Sequence, residues 1–234
     1  MTSVLHVEAL RYRRPGVRNA DSAFAMEVPE LRLEPGQVVG VVGPSGCGKS
    51  TLIDLLALLR QPSGAMRFDL QGSDVAALWQ RRDVDACTAL RALHVGVVLQ
   101  TGGLLPSLPV RENVMLSQRL LGAVDEAWVD HLLAALDLTP LGHRLPAQLS
   151  IGQRQRVAIA RALAHRPSLV LADEPTASLG IDHAPAALDL LLSLARDSGA
   201  ALLVVSHDID LLRDKNVPLR HCAVHGDTVM LEAA

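Results

Sequence analysis

Residues 43 to 51 read GPSGCGKST, a G-x-x-x-x-G-K-[ST] stretch that follows the apolar run QVVGVVG and opens a helical pattern. Backbone N–H groups in such a loop turn toward phosphate oxygens, and the helix N-terminus adds its dipole. The spacing therefore assigns Gly43, Pro44, Ser45, Gly46, Cys47, Gly48, Lys49, Ser50 and Thr51 to a bound polyphosphate. Lys49 would reach the terminal phosphates, and the Ser50 hydroxyl would ligate Mg²⁺. Of the 22 basic residues only Lys49 and Lys215 are lysines. A slim ammonium is kept where a planar guanidinium would not fit.

Two adjacent acids close the segment LVLADEP. Asp173 ends an apolar run, as a Mg²⁺ ligand opposite a phosphate loop does, and Glu174 can take a proton from an attacking water. Without a ligand the pair would repel each other merely to cap the turn before Pro175. Gln100 offers a neutral carbonyl to metal or water, and His207 a hydrogen bond to a terminal phosphate.

A second anion site is written in LSIGQ, residues 149 to 153. Ser150 and Gln153 have capping-box spacing ahead of a helical apolar pattern, and Gly152 leaves the backbone open to approach. Within one chain this site has no phosphate of its own to bind.

Four apolar runs end at these groups: 37–43, 94–100, 168–173 and 200–206. Each reads as a buried parallel strand. Helical patterns lie between, with Leu52, Leu55, Leu56 and Leu59 on one face and Leu188, Leu191, Leu192 and Ala195 on another. Alternating strands and helices imply a parallel sheet with crossovers, whose ligands bind beyond the strands' carboxyl ends. From about 105 to 163 only helical patterning remains.

Composition excludes other classes. At 234 residues the chain suffices for one large α/β domain, and a net charge of −3 argues against a nucleic-acid footprint. No apolar run reaches the roughly 18 residues of a membrane span, and MTSVLHVEALRYRR lacks a signal-peptide core, so a cytoplasmic location is expected. Cys47, Cys87 and Cys222 fit that compartment as reduced thiols. The HCAVH stretch, 221 to 225, reads as hairpin histidines; a strand spreads its two imidazoles by about 13 Å, too far for one zinc.

Taken together, these segments resemble the ATP-binding subunits of ABC transporters over nearly the whole length. GPSGCGKST looks like Walker A, Gln100 the Q-loop, LSIGQ the signature, LVLADEP Walker B, and Ser206–His207–Asp208 the H-switch. The resemblance implies an α/β fold: a P-loop NTPase core with a mostly parallel sheet flanked by helices, an N-terminal antiparallel β portion and an inserted α-helical subdomain. A single domain would span 1–234, with its core at about 1–104 and 164–234 and the signature subdomain at about 105–163. It also implies ATP and Mg²⁺ as ligands, Asp173, Ser50 and Gln100 at the metal, Glu174 as general base, His207 as switch and Tyr12 stacked on adenine. The family pairs two such domains head to tail, so that Ser150, Gly152 and Gln153 of one copy bind the γ-phosphate held by the other.

The partners implied are a second copy of the chain and a separate integral-membrane permease, with the subunit peripheral on the inner face of the cell membrane. The segment LRALHVGVVLQTGGLLPSLPVRENV is similar to the branch serving lipoprotein release, macrolide export and cell division. Leu104 to Pro109, Arg111 and Glu112 would help form the groove for a permease helix. Three positions depart from the pattern: Ile151 in the signature, Pro109 where threonine is common, and Gly180 where the D-loop carries aspartate, the acid being displaced to Asp182. The competing class, a soluble ABC-type ATPase of DNA repair or translation, should show a long coiled-coil insertion, zinc cysteines, a basic groove or tandem domains; the sequence has none of these.

Overall fold

The computed structural model describes residues 3–14, 24–180 and 183–233; Asp182 lies outside them. In chain order the core elements are β1 (Leu5–Arg13), β2 (Ala25–Leu33), β3 (Val38–Val42), α1 (Lys49–Leu56), β4 (Arg67–Leu70), β5 (Ser73–Asp74), α2 (Val75–Gln80), α3 (Val84–His94) and β6 (Val95–Val98). Three helices follow, α4 (Val110–Leu120), α5 (Glu126–Ala135) and α6 (Ile151–Leu163). The chain then returns through β7 (Leu169–Asp173), α7 (Ala184–Asp197), β8 (Ala201–Ser206), α8 (Ile209–Asp214), β9 (Leu219–His225) and β10 (Thr228–Ala233).

The ten strands among the described residues join one sheet, in the order β5-β4-β1-β2-β10-β9-β3-β8-β7-β6. From β9 to β6 every pairing is parallel, whereas β5, β4, β1 and β2 pair antiparallel. The hairpin of β9 and β10 joins the two regions, because β10 lies antiparallel to β9 and parallel to β2.

The period of two along the strands divides the core into two layers. Val39 and Val41 pack with α1, β1 and β2, while Val38 and Val42 pack with α6 and α7 on the opposite face. Each such side chain, fully buried, contributes about 1.5–3 kcal/mol. Helix α1 is shorter than the leucine spacing predicts. It ends at Leu56, Leu58 takes φ 55°, and Leu59 is 56% exposed rather than on the buried face.

Helix α6 carries the LSIGQ end and lies close to the sheet at β6. A methyl group placed on Gly96 would fall 2.1 Å from the Ala162 carbonyl oxygen, so only glycine permits this approach. Its far end is fixed from α4 and α5: Gln118 donates to the Ala164 carbonyl at 2.5 Å, and Trp128 Nε1 to that of Leu163 at 3.2 Å.

Candidate nucleotide site

The 43–51 loop runs from β3 into α1, and Gly48 occupies the helix N-cap at φ 98° with no side-chain cap. That left-handed conformation favours glycine, and a Cβ there would also lie 2.4 Å from Phe24 Cζ. The first-turn N–H groups of α1 are thus left for an anion. Lys49 is buried and folds back over the loop, its ammonium donating to the carbonyls of Gly43 at 2.8 Å and Pro44 at 3.0 Å.

One cavity of about 540 Å³ gathers Ser45, Gly46, Gly48, Lys49, Ser50 and Thr51 with Gln100, Asp173, Glu174 and His207. These come from three strand ends and the phosphate loop, the arrangement expected at the carboxyl edge of a parallel sheet. Asp173 sits beside the Ser50 hydroxyl. Burial pushes its carboxyl above the usual range, with Glu174 and Asp54 adding to this and Ser50 and Lys49 opposing it. Its Oδ1 is buried without a partner. A partnerless carboxylate oxygen beside a hydroxyl, with an amide carbonyl on the same cavity, fits a hard divalent cation that takes oxygen ligands.

Glu174 is aimed by backbone. It takes φ 48°, and its N–H donates to the Val205 carbonyl at 2.9 Å. Its Oε2 then meets His207 Nδ1 at 2.7 Å and accepts from the His207 amide at 3.3 Å.

The remaining assigned residues lie elsewhere. Cys47 is buried under the loop against Cys222, and burial, with Cys47 beside it, pushes the Cys222 thiol up to about 12. Pro44 faces a neighbouring cavity of about 320 Å³ with Phe24 and Asp227. Gly43 admits no side chain because a Cβ would stand 2.9 Å from the Cys222 carbonyl oxygen. Tyr12 is placed differently from the expectation that it offers its ring to adenine. It is 5% exposed, accepts a hydrogen bond from Arg60 at 2.9 Å, and has the Arg60 guanidinium 5.4 Å above its ring. The aromatic that reaches the phosphate loop is Phe24, whose ring centroid is 6.5 Å from that of Tyr12.

Ser150, Gly152 and Gln153 form a separate cavity of about 570 Å³ with Ile151, Leu179 and Gly180. It shares no lining residue with the first. The capping box is formed: Ser150 Oγ accepts from the Gln153 amide at 3.2 Å, and Gln153 Oε1 from the Ser150 amide at 2.9 Å. A Cβ on Gly152 would make only an ordinary 3.7 Å contact with Leu179. Nothing inside the chain demands glycine there.

Two residues near the site, Asn113 and Arg161, carry no signal in the sequence. Asn113 is fully buried, accepts from the Leu105 amide at 2.8 Å and donates to the Leu108 carbonyl at 2.7 Å, which shapes the LLPSLP turn. Arg161 donates to the Gly102 and Gly103 carbonyls. Arg111 pairs with Asp130 and Glu126, and Glu112 with Arg119, so both are engaged within the chain. Among the described residues no helix is long and apolar enough to cross a membrane.

Residues 27–177 match the family model described as ABC transporter. The lipoprotein-releasing system ATP-binding protein LolD of Novosphingobium aromaticivorans is 44% identical over 76% of this chain and 79% of its own. That of Paramagnetospirillum magneticum is 39% identical over 85% and 87%. The methionine import ATP-binding protein MetN 2 of Pseudomonas aeruginosa is also 39% identical, but the chain spans only 56% of it. Among solved structures, a dimeric ATP-binding cassette in a post-hydrolysis state bound to ADP and Pi superposes with a TM-score of 0.77 at 28% identity, covering 96% of each chain. The phosphate loop, the paired acids and the histidine line one cavity and the capped LSIGQ helix end another, and the chain belongs to the ABC transporter family and is one of its ATP-hydrolysing subunits.

Proposed function

We propose that this subunit closes head to tail with a second copy around two ATP molecules and, bound at a membrane, drives a separate permease. The observation that carries this is the division of phosphate-binding groups between two cavities with no residue in common. The LSIGQ helix end is capped, anion-ready and open at Gly152, yet the Lys49 loop of the same chain serves a different cavity. A second copy supplies the missing phosphate. The solved cassette of similar fold is itself dimeric.

In each composite site the loop amides and Lys49 hold the phosphates. A water attacks the γ-phosphorus, the bond to the β–γ bridging oxygen breaks, and the water's proton passes to Glu174, giving ADP and inorganic phosphate. His207 keeps the Glu174 carboxylate oriented. Ser50, Asp173 and Gln100 would hold Mg²⁺, which when bound neutralises phosphate charge. Helices α4 to α6 act as the signature subdomain, and the chain is peripheral on the cytoplasmic face through its permease. Relatives named for lipoprotein release are matched over more of their own length than those named for methionine import, which supports the lipoprotein-release branch.

Glu174→Gln tests the dimer. It should yield an ATP-dependent species of twice the monomer mass by gel filtration, and a monomer at saturating ATP would overturn the proposal. Adding Ser150→Arg should abolish that species while single-chain ATP binding persists.

A further inference from the structure

Gln100 is held in place from a distance. The Gly102 amide donates to the Leu99 carbonyl at 2.9 Å, closing a turn in which Gln100 and Thr101 are the two central residues. Gly102 and Gly103 follow with φ of 73° and 57°. Their successive carbonyls accept from the two terminal nitrogens of one guanidinium: Arg161 Nη2 to Gly102 O at 2.9 Å and Nη1 to Gly103 O at 2.7 Å. Arg161 stands in the last turn of α6, the helix whose first turn is capped by Ser150.

The chemistry of this contact is unusual for a stabilising one. Arg161 is partly buried, and burial lowers its pKa. Among the described residues no carboxylate lies within ion-pair distance of it. A desolvated cation without a counter-charge is a poor device for stability. Two charge-assisted bonds from a rigid planar fork to adjacent carbonyls are a good device for fixing a turn. A side chain at Gly102 or Gly103 would be strained by the left-handed φ that each adopts.

Resting on the nucleotide-site reading above, we infer that Arg161 is a positioning residue for hydrolysis, pinning the turn that carries Gln100 to the helix that carries Ser150 and Gly152. Between Ser150 and Arg161 lies a rigid helix of about 16 Å. One of its ends addresses the phosphate held by the second copy; the other sets the amide that faces the phosphate held by its own chain. A shift of the capped end thereby reaches Gln100 through three groups in series: the helix, the guanidinium fork and the turn.

The test is a double-mutant cycle read in single-turnover ATP hydrolysis. Arg161→Met, which keeps bulk and loses both donors, should lower the maximal rate roughly 10- to 100-fold, as small misplacements near reacting groups do, with ATP affinity nearly unchanged. Arg161→Lys keeps the charge but can serve one carbonyl, and should lie between. Combined with Gln100→Ala, Arg161→Met should add no further loss, because both act through the same amide. Losses that multiply, or a wild-type rate in Arg161→Met, would overturn the inference. Should Arg161→Met not fold, the same cycle with Arg161→Lys decides it by the same criterion. A wild-type chain that hydrolyses no ATP, or whose rate ignores Gln100→Ala, would instead sink the underlying reading of the site.

Discussion

His207 Nδ1 lies 2.7 Å from Glu174 Oε2, and the backbone amide of the same histidine reaches that oxygen at 3.3 Å. The two residues end neighbouring strands, β7 and β8, which pair in parallel up to Asp173 and Val205. The acid is 13% exposed and the imidazole 64%, so the histidine covers the carboxylate from the solvent side. Removing the ring frees the carboxylate to rotate away from an incoming water. His207→Ala should therefore lower kcat by roughly 10- to 100-fold, less than the roughly 10²–10⁴-fold that a positioned general base supplies because the base itself remains, while leaving ATP affinity unchanged. Steady-state hydrolysis and equilibrium binding measured on one preparation would separate the two.

Tyr12 and Phe24 divide the work differently from what position in sequence suggests. Tyr12 is covered and hydrogen-bonded to Arg60, whereas Phe24 borders the phosphate loop. Tyr12→Leu should cost about 2–3 kcal/mol, from the lost ring burial and the unpaired Arg60 donor, without changing the affinity of the folded protein for ATP. Phe24→Leu should weaken ATP binding several-fold and leave inorganic tripolyphosphate unaffected, stacking on a base being worth roughly 1–3 kcal/mol. Calorimetric titration with both ligands gives the comparison.

Gly96→Ala addresses the seat of α6. The added methyl would sit 2.1 Å from the Ala162 carbonyl oxygen, a backbone atom that cannot rotate aside. A loss of about 1–3 kcal/mol, or several degrees in Tm, is expected in a chain of this size. An unchanged melting curve would mean that α6 can lift from β6 at little cost.

Acid sensitivity should centre on His94 and His165. Burial holds both below the usual histidine range; at His165 the neighbouring His94 adds to this and a backbone contact with Val95 works against it. The unfolded chain titrates them near 6.5. Because the unfolded state binds more protons, their contribution is fully present above about pH 6.5 and is lost as pH falls through the folded-state values. Denaturant unfolding at several pH values should show this fall, and His165→Gln should flatten it.

Much of the site could be read in the sequence because its groups obey local rules. A G-x-x-x-x-G-K-S spacing between strand and helix, a Ser150–Gln153 capping box and acids at the end of an apolar run each involve residues a few positions apart. What the sequence concealed depends on long-range packing. Arg161 reaches carbonyls 58 and 59 positions away, and Arg60 reaches Tyr12 across 48. Nothing in the tyrosine's position at the end of a strand says which layer covers its ring. Leu59 failed for the opposite reason: the heptad-like spacing continued, but the backbone turned left-handed at Leu58.

The sheet order sets a timetable for synthesis. β3, which leads into the phosphate loop, has β8 and β9 as its neighbours, strands that leave the ribosome long after it does. β10, later still, is among the described residues the strand that joins the antiparallel region to the rest of the sheet. A nascent chain therefore exposes its nucleotide loop without the flanking strands, and ATP can stabilise the fold only once those strands have emerged. The strand that leads into the loop therefore gains both its sheet neighbours only after β8 and β9 have been translated.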